Sequence, residues 1–303
     1  MNSVTDNKGA PELAPALLIQ LGLQPERVND ITLLHARHGH RLYRLRYAAT
    51  SFVLKWFPVA NDVELQSYAL LRAHNIPTLP VHGCAEQAIL LEDLLTSPAW
   101  RLAAPEDMAR AETGSAVAGW YRRLHAAGRQ IMAAPTPPPA FLRRESDALS
   151  APGILAMGQR LHMPKHPVWQ LAAEHLAALQ AALRTLDQTL NYNDFYWTNL
   201  ALSRTSSTLR AVVYDYHLLG IGLRYSDCRN VIGSLSGAAR PAFWEAYGPV
   251  DEREALLDAP LSALYSLWVA SQRPSLPAWS RDILRQVQGG QLERDLRAAL
   301  EII

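Results

Sequence analysis

Residues 31–57, ITLLHARHGHRLYRLRYAATSFVLKWF, alternate apolar and polar side chains in three runs separated by ARHGH and AAT. A period of two sends successive side chains to opposite faces of a strand, so this stretch predicts a three-stranded antiparallel meander. After a turn at Pro58–Asp62, VELQSYALLRAHN sets Leu65, Tyr68 and Ala69 on one helical face, and AILLEDL at 88–94 predicts a further buried strand. A short leading helix is expected between Pro11 and Leu23. The first 95 residues therefore predict a small strand-rich α+β lobe.

From Glu106 the periodicity is mostly helical. MARAETGSAVAGWYRRLHAAG reads as an apolar-striped helix stopped by Gly128, prolines 135, 137, 138 and 139 read as a rigid linker, and residues 171–189 read as an Ala- and Leu-rich helix. One β signal interrupts this region. NLALS at 199–203 and LRAVVYDY at 209–216, joined by RTSST, predict a hairpin. The expected organisation is a sheet lobe over 1–95 and a larger, mainly helical lobe over 96–303.

Composition narrows the possible partners. Lys and Arg total 29 against 28 Asp and Glu, so there is no concentrated basic face with which to neutralise duplex phosphates, and nucleic acid is not an expected partner. No stretch approaches the ~20 apolar residues of a membrane span, and the opening residues lack the basic region of a signal peptide. Cys84 and Cys228, far apart in sequence, read as small buried hydrophobes in a reducing, cytoplasmic setting.

The chemistry concentrates in YNDFYWTN at 192–199. Asp194 and Asn199 lie five positions apart in a loop, and the second strand of the following hairpin delivers Asp215. Asn199 opens one strand and Asp215 closes the other, so the two ends of the hairpin oppose each other. Oxygen donors in this arrangement suit Mg²⁺, which takes one or two carboxylates plus substrate phosphates, and Asp194 is then left to accept a proton. Taken singly, each also has a plainer reading: Asp194 capping a turn, Asn199 capping the hairpin, Asp215 as a solvated strand end. Lysine occurs at only three positions, 8, 55 and 165. Lys55, inside SFVLKWF, suits a sheet edge, or else a pairing with Glu64 nine residues on that aims its ammonium at phosphate oxygens.

These parts occur in an order that resembles the aminoglycoside phosphotransferase and choline kinase group, small-molecule relatives of the protein kinases. The resemblance covers most of residues 30–235. It runs through Lys55, Glu64, the LLEDL strand at 90–94, Leu124–His125, the 192–199 loop, Asp215 and Asp227. It implies a two-lobed protein-kinase-like fold and an ATP- and Mg²⁺-dependent transfer of the γ-phosphoryl group to a hydroxyl of a small molecule, with GTP as the other nucleotide to consider. By the same resemblance Asp194 is the catalytic base, Asn199 and Asp215 hold the metal, Lys55 meets phosphate, and Glu92, Asp93 and Leu94 supply the backbone that meets adenine. Tyr196 and Trp197, beside the base, are the aromatic residues expected at the acceptor. Two departures stand out. Tyr192 and Asn193 replace the family's His-Gly before the base, and the turn HARHGHR offers Gly39 alone. A non-catalytic kinase-like binding module is the competing expectation.

Overall fold

The computed structural model describes residues 13–204 and 207–303. In chain order the elements are α1 (Pro15–Gln20), β1 (Val28–Arg37), β2 (His40–Tyr47), β3 (Thr50–Trp56), α2 (Val63–Ala73), β4 (Val81–Ala85), β5 (Ala88–Glu92), β6 (Trp100–Leu102) and α3 (Ala111–Ala133). There follow α4 (Ala151–Arg160), α5 (Val168–Thr185), β7 (Thr189–Asn191), β8 (Leu200–Ser203), β9 (Ala211–Val213) and β10 (Gly220–Gly222). The chain closes with α6 (Arg224–Ser234), α7 (Ala239–Tyr247), α8 (Glu252–Ser271), α9 (Ser280–Gln288) and α10 (Gln291–Leu300). The class is α+β. The start of the expected leading helix, Pro11 and Glu12, lies outside the described residues, as do positions 205 and 206 of the hairpin connection.

The chain divides into two compact units, one running up to Asp107 and taking in Trp197–His217, the other comprising Met108–Tyr196 and Leu218–Ile303. A cut at residue 95 differs from this division because β6 pairs with β8, and β8 pairs with β9. The 200–213 hairpin thus belongs to the first unit.

In that unit the five-stranded antiparallel sheet has the order β1-β2-β3-β5-β4. Arg37 pairs with His40, so β1 and β2 are joined by His38 and Gly39 alone, both at positive φ (50° and 84°). Two positive φ values are what a type I′ hairpin turn requires, and they explain the glycine. One face of the sheet buries Tyr43, Leu45, Leu54 and Leu90 against Leu18 and Leu21. Asp62 caps α2, its carboxylate accepting from Glu64 N at 2.9 Å. Cys84 is exposed, contrary to expectation, because it lies on the edge strand β4.

The second unit is helical around the buried side chains of α4, α5, α8 and α10, with Trp169, Leu179, Leu264 and Leu296 near its centre. Gly128 does not stop its helix; α3 continues five residues beyond it to Ala133. The glycine is there for packing. A Cβ on Gly128 would stand 2.1 Å from Leu190 N and 2.2 Å from Thr189 Oγ1, so it is hydrogen alone that lets α3 lie against β7. Gly128→Ala should therefore destabilise the protein by about 1–3 kcal/mol, the range for overpacking, despite alanine's better helix propensity. A chemical denaturation midpoint equal to or above the parent's would contradict this packing. The residues after α5 also depart from the helical expectation: β7 begins at Thr189 and pairs with β10. Among the described residues no helix is long and apolar enough to cross a membrane.

Candidate functional site

Lys55 lies on β3, the middle strand of the sheet, and so is not an edge charge. Its Nζ donates to Glu64 Oε2 at 2.5 Å and to Asp215 Oδ1 at 2.8 Å, joining β3, α2 and the chain after β9 in one ion-pair cluster. Glu64 is 1% exposed. Burial pushes its carboxyl up to about 7 against the opposing pull of Lys55. For Lys55, burial favours the neutral amine, but the charges of Glu64 and Asp215 outweigh it and hold the ammonium above its ordinary value. Asp215 is the reverse case. Burial works to raise it, yet the hydrogen bond with His217 (Nδ1–Oδ1, 3.0 Å) and the charge of Lys55 keep it well below the usual carboxylate range.

The elevated Glu64 carboxyl gives a pH signature. Between its ordinary 4.5 and about 7 the folded chain binds a proton that the unfolded chain has released. That contribution to stability is complete below 4.5 and lost by 7. The melting temperature of the parent should thus fall relative to that of Glu64→Gln as pH rises from 5 to 7.5; parallel curves would mean that Glu64 is ionised throughout.

A cleft of about 330 Å³ opens beside this cluster within the first unit. Leu34, Leu42, Val53, Leu79 and Leu91 give it apolar walls, and Lys55 and Asp215 stand in it with Glu92, Asp93 and Leu94. The side chains of Glu92 and Asp93 are engaged elsewhere. Glu92 pairs with His82 at 2.8 Å, and the buried Asp93 carboxylate accepts from Ser51 Oγ (2.7 Å), Arg44 Nε (2.8 Å) and Leu95 N (3.1 Å). What this segment has to offer a ligand is backbone, and Leu94 N–H meets no acceptor among the described residues.

Pairing of Leu200 with Val213, extended by the Tyr214 N–H to Asn199 O bond (3.1 Å), brings Asn199 and Asp215 to one end of the hairpin. Asp215 adopts φ +68°, which costs a non-glycine residue energy and is retained where the surroundings enforce it. Both hydrogen bonds to its carboxylate fall on Oδ1; Oδ2 accepts none among the described residues, which leaves an oxygen for a hard cation. An amide and a carboxylate at this hairpin end are a donor set that fits Mg²⁺. His217 was not singled out from sequence, and its signal is its place two residues after Asp215.

Asp194 lies in the second unit, half-buried, in the loop after β7. Its neighbours are fixed on both sides. Asp227, on the first turn of α6 and fully buried, accepts the backbone N–H groups of Tyr192 (3.0 Å) and Asn193 (3.0 Å), Asn191 Nδ2 (3.3 Å) and His125 Nε2 (3.0 Å). His125 Nδ1 meets the Tyr247 hydroxyl at 2.6 Å, so this buried histidine is a hydrogen-bonded link between α3 and α7. On the other side Phe195 is buried and its carbonyl accepts from Ser234 Oγ at 2.8 Å. Tyr192 itself is buried and packs edge-on against Trp120. Tyr196 and Trp197, 57% and 41% exposed, are free of the core on either side of the chain's passage between the units.

No family model matches the sequence, and no curated protein matches it. Solved structures do match in fold. A choline/ethanolamine kinase family protein from Mesorhizobium loti is 14% identical with a TM-score of 0.61, covering 94% of this chain and 97% of its own. An ADP-bound aminoglycoside phosphotransferase is 12% identical (TM-score 0.58; 96% and 99%), and a macrolide 2′-phosphotransferase from Brachybacterium faecium 17% (0.51; 90% and 97%). The chain has the protein-kinase-like fold that these small-molecule phosphotransferases share.

Proposed function

We propose that this chain is a phosphotransferase that moves the γ-phosphoryl group of ATP to a hydroxyl of a small molecule in the cytoplasm. The observation that carries the reading is the Lys55–Glu64–Asp215 cluster beside an apolar cleft edged by the unengaged N–H of Leu94. The apolar walls suit a purine, Leu94 N–H and the Glu92–Asp93 backbone suit its polar edge, and Lys55, restrained by Glu64, faces the phosphates. GTP would enter the same walls. Asn199 and Asp215 would hold Mg²⁺, which when bound neutralises charge on the phosphate oxygens.

Asp194 accepts the proton of the acceptor hydroxyl as its oxygen bonds to the γ-phosphorus. The bond from that phosphorus to the β–γ bridging oxygen breaks, and ADP leaves. With little covalent chemistry for the protein to perform, holding the groups in place supplies most of the rate, and the bonds of Asp227 to the loop serve that purpose. Tyr196 and Trp197 are the exposed rings nearest in sequence to Asp194, and they offer faces to an acceptor.

The reading is tested by melting the protein with Mg²⁺, with ATP and with both. A ligand at 100 times its dissociation constant stabilises by about 2.7 kcal/mol, and the combined rise should exceed either alone and vanish in Asp215→Ala. No rise with ATP or GTP would reject the nucleotide site.

A further inference from the structure

A second cleft, of about 540 Å³, lies wholly within the helical unit and shares no residue with the one beside Lys55. Its walls carry Arg122, Arg123 and Arg129 from α3 and Arg224 from α6, with Tyr247 beside them, and no carboxylate. The cluster stands out against a formal charge of only +1 over the whole protein. Several arginines outside this cleft have carboxylate partners, as in Arg44–Asp93, Arg101–Asp107 and Arg229–Asp258. Arg224 is paired in the same way, its charge met by Glu254 at 2.7 Å. The three on α3 are not. Arg122 donates to the neutral carbonyl of Ala246 at 3.2 Å, and Arg123 and Arg129 meet no carboxylate or carbonyl among the described residues. The cause lies in the sequence: residues 113–144 hold five arginines and not one aspartate or glutamate. Like charges spaced along one helix repel and cost stability unless something compensates them.

We propose that this cleft binds a small polyanion of the phosphate class. Guanidinium forks match phosphate oxygens in pairs, and Arg122 and Arg129, seven residues apart, span about 10 Å of helix at 1.5 Å per residue. That span exceeds one phosphate and fits a ligand with two or more anionic groups in a row. The inference is independent of the proposed phosphotransfer, since it uses none of the residues assigned to it.

Tripolyphosphate is the probe, titrated calorimetrically into the full chain without Mg²⁺ at about 10 mM salt, where charge interactions reach about 30 Å. Arg123→Gln/Arg129→Gln, both exposed positions, should weaken binding tenfold or more with an unchanged melting temperature. Arg123→Lys/Arg129→Lys, which keeps the charge and loses the fork, should fall between the two. Lys55→Met should leave this binding intact, which separates it from any phosphate affinity of the first cleft. Failure of the parent chain to bind, indifference to the arginine replacements, or loss of binding in Lys55→Met would each overturn the proposal.

Discussion

Asp194→Asn is expected to slow phosphoryl transfer by a factor on the order of 10²–10⁴, the usual contribution of a positioned general base, while nucleotide affinity stays at the parent value. The asymmetry follows from where the residue sits. The cleft that would take the nucleotide is built entirely within the first unit, whereas Asp194 belongs to the second. Asparagine preserves size and can still accept a hydrogen bond through its carbonyl, so the loss should appear in turnover. Measuring ATP-dependent product formation beside nucleotide titration separates the two effects. Turnover within a few-fold of the parent would remove Asp194 as the base, and a loss of nucleotide affinity as large as the loss of rate would mean that the residue serves binding.

The second large effect is on stability. Removing the Asp227 carboxylate leaves Tyr192 N–H, Asn193 N–H, Asn191 Nδ2 and His125 Nε2 without their common acceptor in the interior. Stranding buried donors costs about 1–3 kcal/mol each, although relaxation keeps the effects from adding fully. Asp227→Ala should destabilise by about 4 kcal/mol and lower the melting temperature by roughly 10 °C. Asp227→Asn, which retains one acceptor oxygen, should cost less. A change of under 1 kcal/mol in the alanine variant, read from denaturant unfolding, would show that the loop is held by its packing instead.

What was legible in the sequence is what local pattern encodes. Three consecutive strands joined by short turns announce themselves through period-two alternation, and Lys55 was conspicuous because lysine is scarce. Asn199 and Asp215 could be placed at one end of a hairpin from strand register alone. The elements that went unseen are short or depend on distant partners. Strands β6, β7 and β10 have three residues each, too few for any period, and exist because other strands pair with them. Gly128 looked like a helix stop because the backbone it must admit, at Thr189 and Leu190, is some sixty residues away. Cys84 looked buried because hydropathy does not distinguish an edge strand from a central one. The link through His125, Asp227 and Tyr247 joins three helices, and nothing in local spacing announces it.

The position of Asp227 has a further consequence, for motion. It sits one turn into α6, and that turn is itself fastened to α8: Arg224 and Tyr225 N–H bond Glu254, and Ser226 and Arg229 bond Asp258. The amide protons of Tyr192 and Asn193 are therefore tied to a helix that is anchored to the core. They should exchange with solvent only in openings that loosen α6, as slowly as core amides and not at the pace of a surface loop. A segment that lies between regular elements, where chains ordinarily breathe, is thus among the last parts of its unit to open. The ordering entropy around Asp194 is settled when the protein folds, before any ligand arrives.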